Sequence, residues 1–166
     1  MEESSVFKVH DVVRDMEIYM RENEENCVFR AGQSLQHFPD IPGLDNCKRI
    51  SVMGIDIKSL SAKELRCPKL VSLLMAANKG LKEIPEAFFL NLTSLRVLAI
   101  DDLSMQSLPS SLWQLTRLEW LYLAFSEIED ISEEIGNLSY LQFLYLNYCK
   151  NLKSFSSRIG ELKNLK

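Results

Sequence analysis

The residues best suited to chemistry in this 166-residue sequence are an adjacent imidazole and carboxylate, His10 and Asp11. A histidine beside an aspartate can move protons or contact a phosphate. Asp11 is also a good helix N-cap, because its carboxylate can accept hydrogen bonds from N–H groups of the first turn. The following apolar residues recur at helical spacing: Val12, Val13, Met16 and Met20. Taken alone, these residues favour a capped helix entering a core, without a ligand.

Other catalytic and metal-binding patterns are absent from the sequence. The four cysteines (Cys27, Cys47, Cys67, Cys149) form no Cys-x-x-Cys pair, and the only histidines are His10 and His37. We therefore predict no zinc site and no metal ligand. No nucleophile-elbow or Cys-His context is present, so no catalytic residue is predicted. The scattered cysteines are typical of reduced thiols in a cytosolic protein.

Composition and charge narrow the class of protein. The chain is 46% hydrophobic and 25% charged, which is typical of a globular domain. A net charge of -4 and the lack of a local Lys/Arg cluster argue against nucleic-acid binding. No apolar run approaches the roughly 18 residues of a membrane span. The first residues, MEESS, do not resemble a secretory signal.

An internal repeat organises most of the chain. The pattern L-x-x-L-x-L starts at Leu70, Leu95, Leu118 and Leu141, a weaker copy starts at Cys47, and another begins at Leu165. Alternation within the pattern predicts a strand whose leucines point inward. Repeats of this length are leucine-rich repeats, which stack into a solenoid with a parallel sheet on the concave side. We predict an α/β solenoid of about five repeats over residues 47–166, with an uncapped C-terminal end.

The turn after each strand carries a polar residue in several repeats. In such turns an Asn or Cys side chain satisfies buried backbone groups. Asn78 and Cys149 fit this position and Ser126 is acceptable, whereas Leu103 and Ile55 do not fit.

Strand residues that point away from the core form columns across the repeats, and solenoids use this face for binding. The first column is Arg49, Ser72, Val97, Trp120 and Phe143, and the second is Ser51, Leu74, Ala99, Tyr122 and Tyr145. The third column, just past the strands, is Gly54, Ala77, Asp102, Phe125 and Tyr148. Six aromatic residues are therefore predicted to be exposed together: Trp120, Tyr122, Phe125, Phe143, Tyr145 and Tyr148. We predict a protein-binding surface there, although aromatic residues also simply suit strands.

Several segments resemble plant intracellular NLR (NB-ARC–LRR) disease-resistance proteins. The units "IPEAFFLNLTSLRVL", "LPSSLWQLTRLEWL" and "ISEEIGNLSYLQFL" are similar to the repeats of that family. Val9-His10-Asp11, followed by Val13-Arg14-Asp15-Met16, resembles the Met-His-Asp motif that ends its nucleotide-binding module, and "CKRISVM" resembles the start of its repeats. The resemblance implies a winged-helix remnant over residues 1–27, then a linker or N-terminal cap over 28–46.

The resemblance also implies a function. In the family, the histidine matching His10 reaches the phosphates of bound ADP, and the aspartate matching Asp11 begins the next helix and orients the site. The full-length relatives bind ADP or ATP. This chain has no G-x-x-x-x-G-K-[ST] loop, so we expect no nucleotide affinity, no cofactor and no enzyme activity from it alone. The implied role is a cytoplasmic segment that recognises a pathogen effector or a modified host protein and restrains the receptor. The alternatives are a free-standing cytoplasmic repeat scaffold, or part of a nucleotide-hydrolysing switch whose catalytic module lies elsewhere.

Overall fold

The computed structural model describes residues 27–29, 37–38, 44–52, 57, 59–60, 65–76, 78 and 81–166. His10, Asp11 and residues 1–26 of the predicted winged-helix remnant lie outside these ranges. The cofactor-binding prediction for His10 and Asp11 therefore remains a prediction.

Parallel strands of two or three residues repeat along the described chain. They are β1 (Cys27–Phe29), β2 (His37–Phe38), β3 (Arg49–Ser51), β4 (Ser59–Leu60), β5 (Ser72–Leu74), β6 (Val97–Ala99), β7 (Trp120–Tyr122) and β8 (Phe143–Tyr145). Six of them form the main sheet in the order β1-β3-β5-β6-β7-β8, and β2 pairs with β4 in a small second sheet. The leucine-rich-repeat solenoid predicted from the sequence is thus confirmed.

Strand register follows the repeat. Val97 pairs with Trp120 and Trp120 with Phe143, a step of one repeat each, which confirms the predicted alignment of the first column. Ala99 pairs with Tyr122 and Tyr122 with Tyr145, which confirms that of the second. Ser72 pairs with Val97 although the two are 25 residues apart, so the longer spacing between β5 and β6 does not shift the columns.

Short 3₁₀ helices form part of the return path in several repeats, whereas the described residues between β5 and β6 contain turns only. The helices are η1 (Leu44–Asn46), η2 (Ser110–Gln114), η3 (Glu133–Asn137) and η4 (Ser157–Glu161). The side chains of Ser132 and Ser156 cap η3 and η4 by accepting from the N–H groups of Glu134 and Arg158. No α-helix occurs within the ranges described above, because a repeat of about 23 residues leaves little length for the return.

Leucines of the repeat pattern build one continuous core between the sheet and the convex segments. Leu70, Leu95, Leu118 and Leu141 all have 0% exposure, so the start of each repeat is buried to the same depth. Complete burial of a leucine side chain stabilises the fold by about 1.5–3 kcal/mol. No single unit could bury this face, and stacking is therefore what makes each repeat stable.

The sheet begins earlier than residue 47, where the first repeat was predicted. β1 lies at the boundary of the segment 28–46, which was expected to be a linker or N-terminal cap, and it pairs with β3 through Cys27–Arg49, Val28–Ile50 and Phe29–Ser51. Residues 27–29 thus extend the sheet by one strand. Their sequence, CVF, lacks the repeat pattern that identifies the other strands of the main sheet.

Candidate functional site on the concave face

The six aromatic residues predicted to bind a partner come together on the concave side of β7 and β8. We call Trp120, Tyr122, Phe125, Phe143, Tyr145 and Tyr148 the aromatic patch. The rings of Trp120 and Phe143 lie 4.0 Å apart between centroids, and those of Tyr122 and Tyr145 lie 5.6 Å apart. Phe125 and Tyr148 are stacked with centroids 4.8 Å apart and planes inclined by only 11°. Each pair joins neighbouring repeats, so the repeat itself aligns the rings.

The patch is less exposed than the sequence predicts. Tyr122 was expected to be exposed, but this is wrong, because only 4% of it is accessible. It packs in a second hydrophobic cluster on the concave side together with Leu74, Val97, Ala99 and Ala124. Trp120, Phe125 and Tyr145 are half-buried against this cluster.

One ring of the patch stands out into solvent. Tyr148 is 59% exposed, and its partner in the stack, Phe125, is half-buried. The patch therefore has a packed floor and an accessible rim.

The backbone below the third column adopts an unusual conformation. Asp102, Phe125 and Tyr148, at the same position in successive repeats, have positive φ angles of 57°, 59° and 63°. A non-glycine residue pays roughly 1–2 kcal/mol for this left-handed conformation. The solenoid holds it in place, since the N–H of Asp102 donates to the carbonyl of Ala124 (3.1 Å) and that of Phe125 donates to Asn147 (2.9 Å). Aromatic residues occupy two positions where glycine would be less strained, and their rings form the stack.

Polar turn residues hold the concave turns in register. The Asn78 amide donates to the carbonyls of Val52 (2.9 Å) and Met75 (2.7 Å), and its oxygen accepts from the N–H of Ile57 (3.3 Å). The hydroxyl of Ser126 accepts from the N–H of Leu103 at 3.2 Å. These bonds confirm the predicted role of both residues.

The thiol of Cys149 performs the same task in its repeat. It donates to the carbonyl of Leu123 at 3.3 Å, 26 residues earlier, which is the offset between Asn78 and Val52. Burial raises the pKa of this thiol, and a hydrogen bond from the Ser126 backbone lowers it by a smaller amount. The thiol therefore stays protonated and remains a donor at neutral pH.

Burial keeps two ionisable side chains, Tyr122 in the patch and Cys67 elsewhere in the solenoid, in their neutral forms at neutral pH. Burial raises the pKa of Tyr122 to about 12, with smaller contributions from Asp101, Tyr145 and Cys149. Farther along the solenoid, the Cys67 thiol donates to the carbonyl of Leu44 at 3.1 Å, and burial, together with Cys47 and Asp45, raises its pKa to about 11. Since the thiolate is the nucleophile, Cys67 is an unreactive core residue.

Neither a metal site nor a membrane-spanning helix occurs in the part of the chain that the structure describes. There, no group of three His, Cys, Asp or Glu side chains is arranged to hold a metal ion. No helix in these ranges combines the length and the apolar character needed to cross a bilayer.

Sequence reasoning did not find a basic groove that runs along the starts of the strands. It measures about 590 Å³ and is lined by Lys48, Lys69, Arg96, Arg117, Glu119 and Tyr140, among others. These cations are far apart in the sequence, so no local Lys/Arg cluster is visible. They do align when the sequence is arranged in columns at the repeat spacing, the same signal that reveals the aromatic residues.

Comparison with protein families and known proteins agrees with this architecture. A family model described as "Leucine rich repeat" matches residues 68–128. A probable disease resistance protein of Arabidopsis thaliana is 32% identical over 98% of this chain, which corresponds to 19% of that protein. The disease resistance protein UNI from the same plant is 32% identical over 95% of this chain and 18% of its own length. The chain thus spans about a fifth of the curated relatives that it matches.

Solved structures share the fold at low sequence identity. A leucine-rich-repeat protein of Leptospira interrogans superposes with a TM-score of 0.62 at 23% identity, covering 85% of this chain and 41% of that one. The Arabidopsis receptor kinase HAESA, solved in complex with a peptide hormone and a co-receptor, superposes with a TM-score of 0.54 at 21% identity. That match covers 74% of this chain and 25% of the HAESA chain.

Proposed function

We propose that this chain, a leucine-rich-repeat solenoid similar in sequence to plant disease resistance proteins, is part of an intracellular immune receptor and that its aromatic patch is a protein-recognition surface. In this proposal the segment recognises a pathogen effector or a modified host protein. Before recognition, the same face contacts the nucleotide-binding module of the receptor and restrains it. A nucleotide site containing His10 and Asp11 would belong to that module, and this chain would have no catalytic role of its own.

The aromatic patch is the observation that supports this proposal. Trp and Tyr are enriched among the residues that dominate binding energy, and they act best in packed surroundings. Here the half-buried rings of Trp120 and Tyr145 lie on a hydrophobic floor, while Tyr148 is exposed at the edge. Because these side chains are already held in place, a partner that binds them costs little side-chain conformational entropy. The apolar area of the surface then favours contact with a protein over contact with solvent.

Paired substitutions in the receptor that carries this segment test the proposal. We expect Trp120→Ala with Tyr145→Ala to abolish the response to the recognised protein and to cause spontaneous cell death in leaf tissue, because both recognition and restraint are lost. Leu90→Ala with Phe155→Ala is the matched control, since these side chains are 44% and 61% exposed outside the patch. Tyr148→Ala is a second patch variant whose exposed ring contributes little to packing.

The results for these variants distinguish the proposal from its rival, a free-standing repeat scaffold. Unchanged recognition and unchanged restraint in both patch variants would refute it. A free-standing scaffold predicts lost partner binding with no change in spontaneous cell death, so that result would favour the rival. The amount of each variant must match the wild type in immunoblots, because a misfolded receptor would also fail to respond.

A further inference from the structure

The basic groove lies along the ends of the strands at which they begin. Lys48 and Arg96 directly precede β3 and β6, and Glu119 directly precedes β7. Lys69 and Arg117 lie two residues before Val71 and Glu119, and each directly precedes the leucine that starts its repeat. The groove therefore runs along the starts of four neighbouring strands of the main sheet, and one of its lining residues, Glu119, directly precedes Trp120 of the aromatic patch in the chain.

Positive charge dominates this groove. Four cationic side chains line it against one carboxylate, in a chain whose net charge is -4. The guanidinium of Arg96 is paired with Glu119, its Nε donating at 2.7 Å. The Nζ of Lys69 donates to the side-chain oxygen of Asn46, an uncharged residue, at 3.1 Å. Lys48, Lys69 and Arg117 are all exposed, which leaves their charges accessible to a ligand.

Side chains, not the backbone, would recognise a ligand in this groove. The N–H groups along its floor are already used by the solenoid, since Val71 donates to Lys48 (2.7 Å), Arg96 to Val71 (2.9 Å) and Glu119 to Arg96 (2.8 Å). An extended peptide could not add to the sheet here. A ligand must instead offer negative groups spaced along the row of cations.

We propose that the groove binds an acidic stretch of the partner protein, next to an apolar or aromatic residue that the partner places on the aromatic patch. The proposal rests on the proposed function and specifies the chemistry of the partner. Neighbouring strands lie about 4.8 Å apart, so three steps from β3 to β7 span about 14 Å. An extended peptide rises about 3.3 Å per residue, and four or five residues would therefore cover the row.

A peptide fits the charge distribution better than a nucleic acid. The positive region is short and belongs to an acidic chain, and the remaining negative charge would repel a long phosphate backbone. A short acidic segment needs only the groove itself. The aromatic patch, which begins one residue after Glu119 on β7, would add an apolar contact to this electrostatic attraction.

Fluorescence anisotropy with synthetic peptides on the 166-residue chain tests this inference. The first labelled peptide carries a tryptophan followed by five glutamates, and the second replaces the glutamates by glutamines. We expect the glutamate peptide to bind at least tenfold more tightly at 50 mM salt, and this advantage to shrink at 200 mM because exposed charges are screened. Lys69→Glu with Arg117→Glu should weaken the glutamate peptide at least tenfold. Lys82→Glu with Lys163→Glu is the control, because it makes the same change in net charge at exposed sites outside the groove.

Each result has one meaning. Equal binding of the two peptides, no binding of either, or equal losses in the two charge-reversal variants would overturn the inference. Tighter binding of a single-stranded oligonucleotide than of the glutamate peptide would also overturn it, in favour of a nucleic acid. Trp120→Ala with Tyr145→Ala is measured on the same peptides. If the glutamates add nothing but this variant still loses the tryptophan peptide, the inference fails while the proposed function stands.

Discussion

Replacement of Asn78 by alanine probes the turn that holds the concave face together. The Asn78 side chain is 1% exposed and donates to two carbonyls in different repeats, those of Val52 and Met75. A third donor contact reaches the carbonyl of Ala76 at 3.4 Å, and the side-chain oxygen accepts from Ile57. Alanine removes all of these contacts at once and leaves the backbone groups buried.

The expected loss of stability follows from these bonds. A typical intramolecular hydrogen bond contributes about 1 kcal/mol net, and a buried group left without a partner costs about 1–3 kcal/mol. We expect Asn78→Ala to lower the free energy of unfolding by about 3 kcal/mol. With a slope of about 2 kcal/mol per molar urea, the midpoint of urea unfolding should fall by about 1–2 M. Ser126→Ala removes a single hydroxyl and should cost about 1 kcal/mol.

Urea unfolding followed by circular dichroism measures the loss, with Asn151→Ala as the control because Asn151 is exposed in a turn. Hydrogen exchange adds a local measurement, since the amide of Ile57 should exchange faster once its acceptor is gone. If Asn78→Ala were no more destabilising than Asn151→Ala, the turn side chains would be dispensable. Our account of how neighbouring repeats are coupled would then be wrong.

Two further predictions concern the patch and the buried ionisable groups. Phe125 has a φ angle of 59°, a conformation that glycine adopts without strain. We therefore expect Phe125→Gly to be more stable than Phe125→Ala by about 1 kcal/mol, the reverse of the usual order. Equal midpoints of urea unfolding for the two variants would show that the backbone at this position is not strained. Tyr122 and Cys67 have pKa values raised to about 12 and about 11 in the folded chain, above 10.0 and 9.0 in the unfolded one. Because the unfolded chain loses these protons first, their contribution is complete below pH 9 and is lost as the pH rises from 9 to about 12. Thermal unfolding between pH 8 and 11 should show this fall, and Tyr122→Phe should make it shallower; an unchanged slope would argue against burial of the neutral phenol.

The repeat pattern predicted the framework because it reports burial directly. Leu118 and Leu141 recur at the spacing of the solenoid, and the same spacing predicts that Trp120 lies opposite Phe143, as it does. The polar turn positions followed for the same reason, since Asn78 lies at a fixed distance from its strand. The periodicity of the sequence is sufficient to predict features that every repeat shares.

Features that depend on neighbouring side chains were not predictable in this way. Alternation along β7 correctly directs Tyr122 away from the leucine core, yet that side is also packed. Ala99 is its neighbour in register, and such a small side chain leaves room for the ring to lie against the sheet. The positive φ angles of Phe125 and Tyr148 were missed because those residue types normally avoid that conformation. β1 was missed because pairing with β3, rather than its own sequence, makes it a strand.

The unequal spacing of the repeats has a consequence for how this surface can change. Ser72 and Val97 are 25 residues apart and still pair, whereas Val97 and Trp120 are 23 apart. Two added residues are thus absorbed in the path between β5 and β6 without moving a concave column. The convex side can therefore gain or lose residues without affecting which substitutions the concave side accepts. A lineage or a library could alter the binding specificity one column position at a time, while length differences accumulate behind it without loss of register.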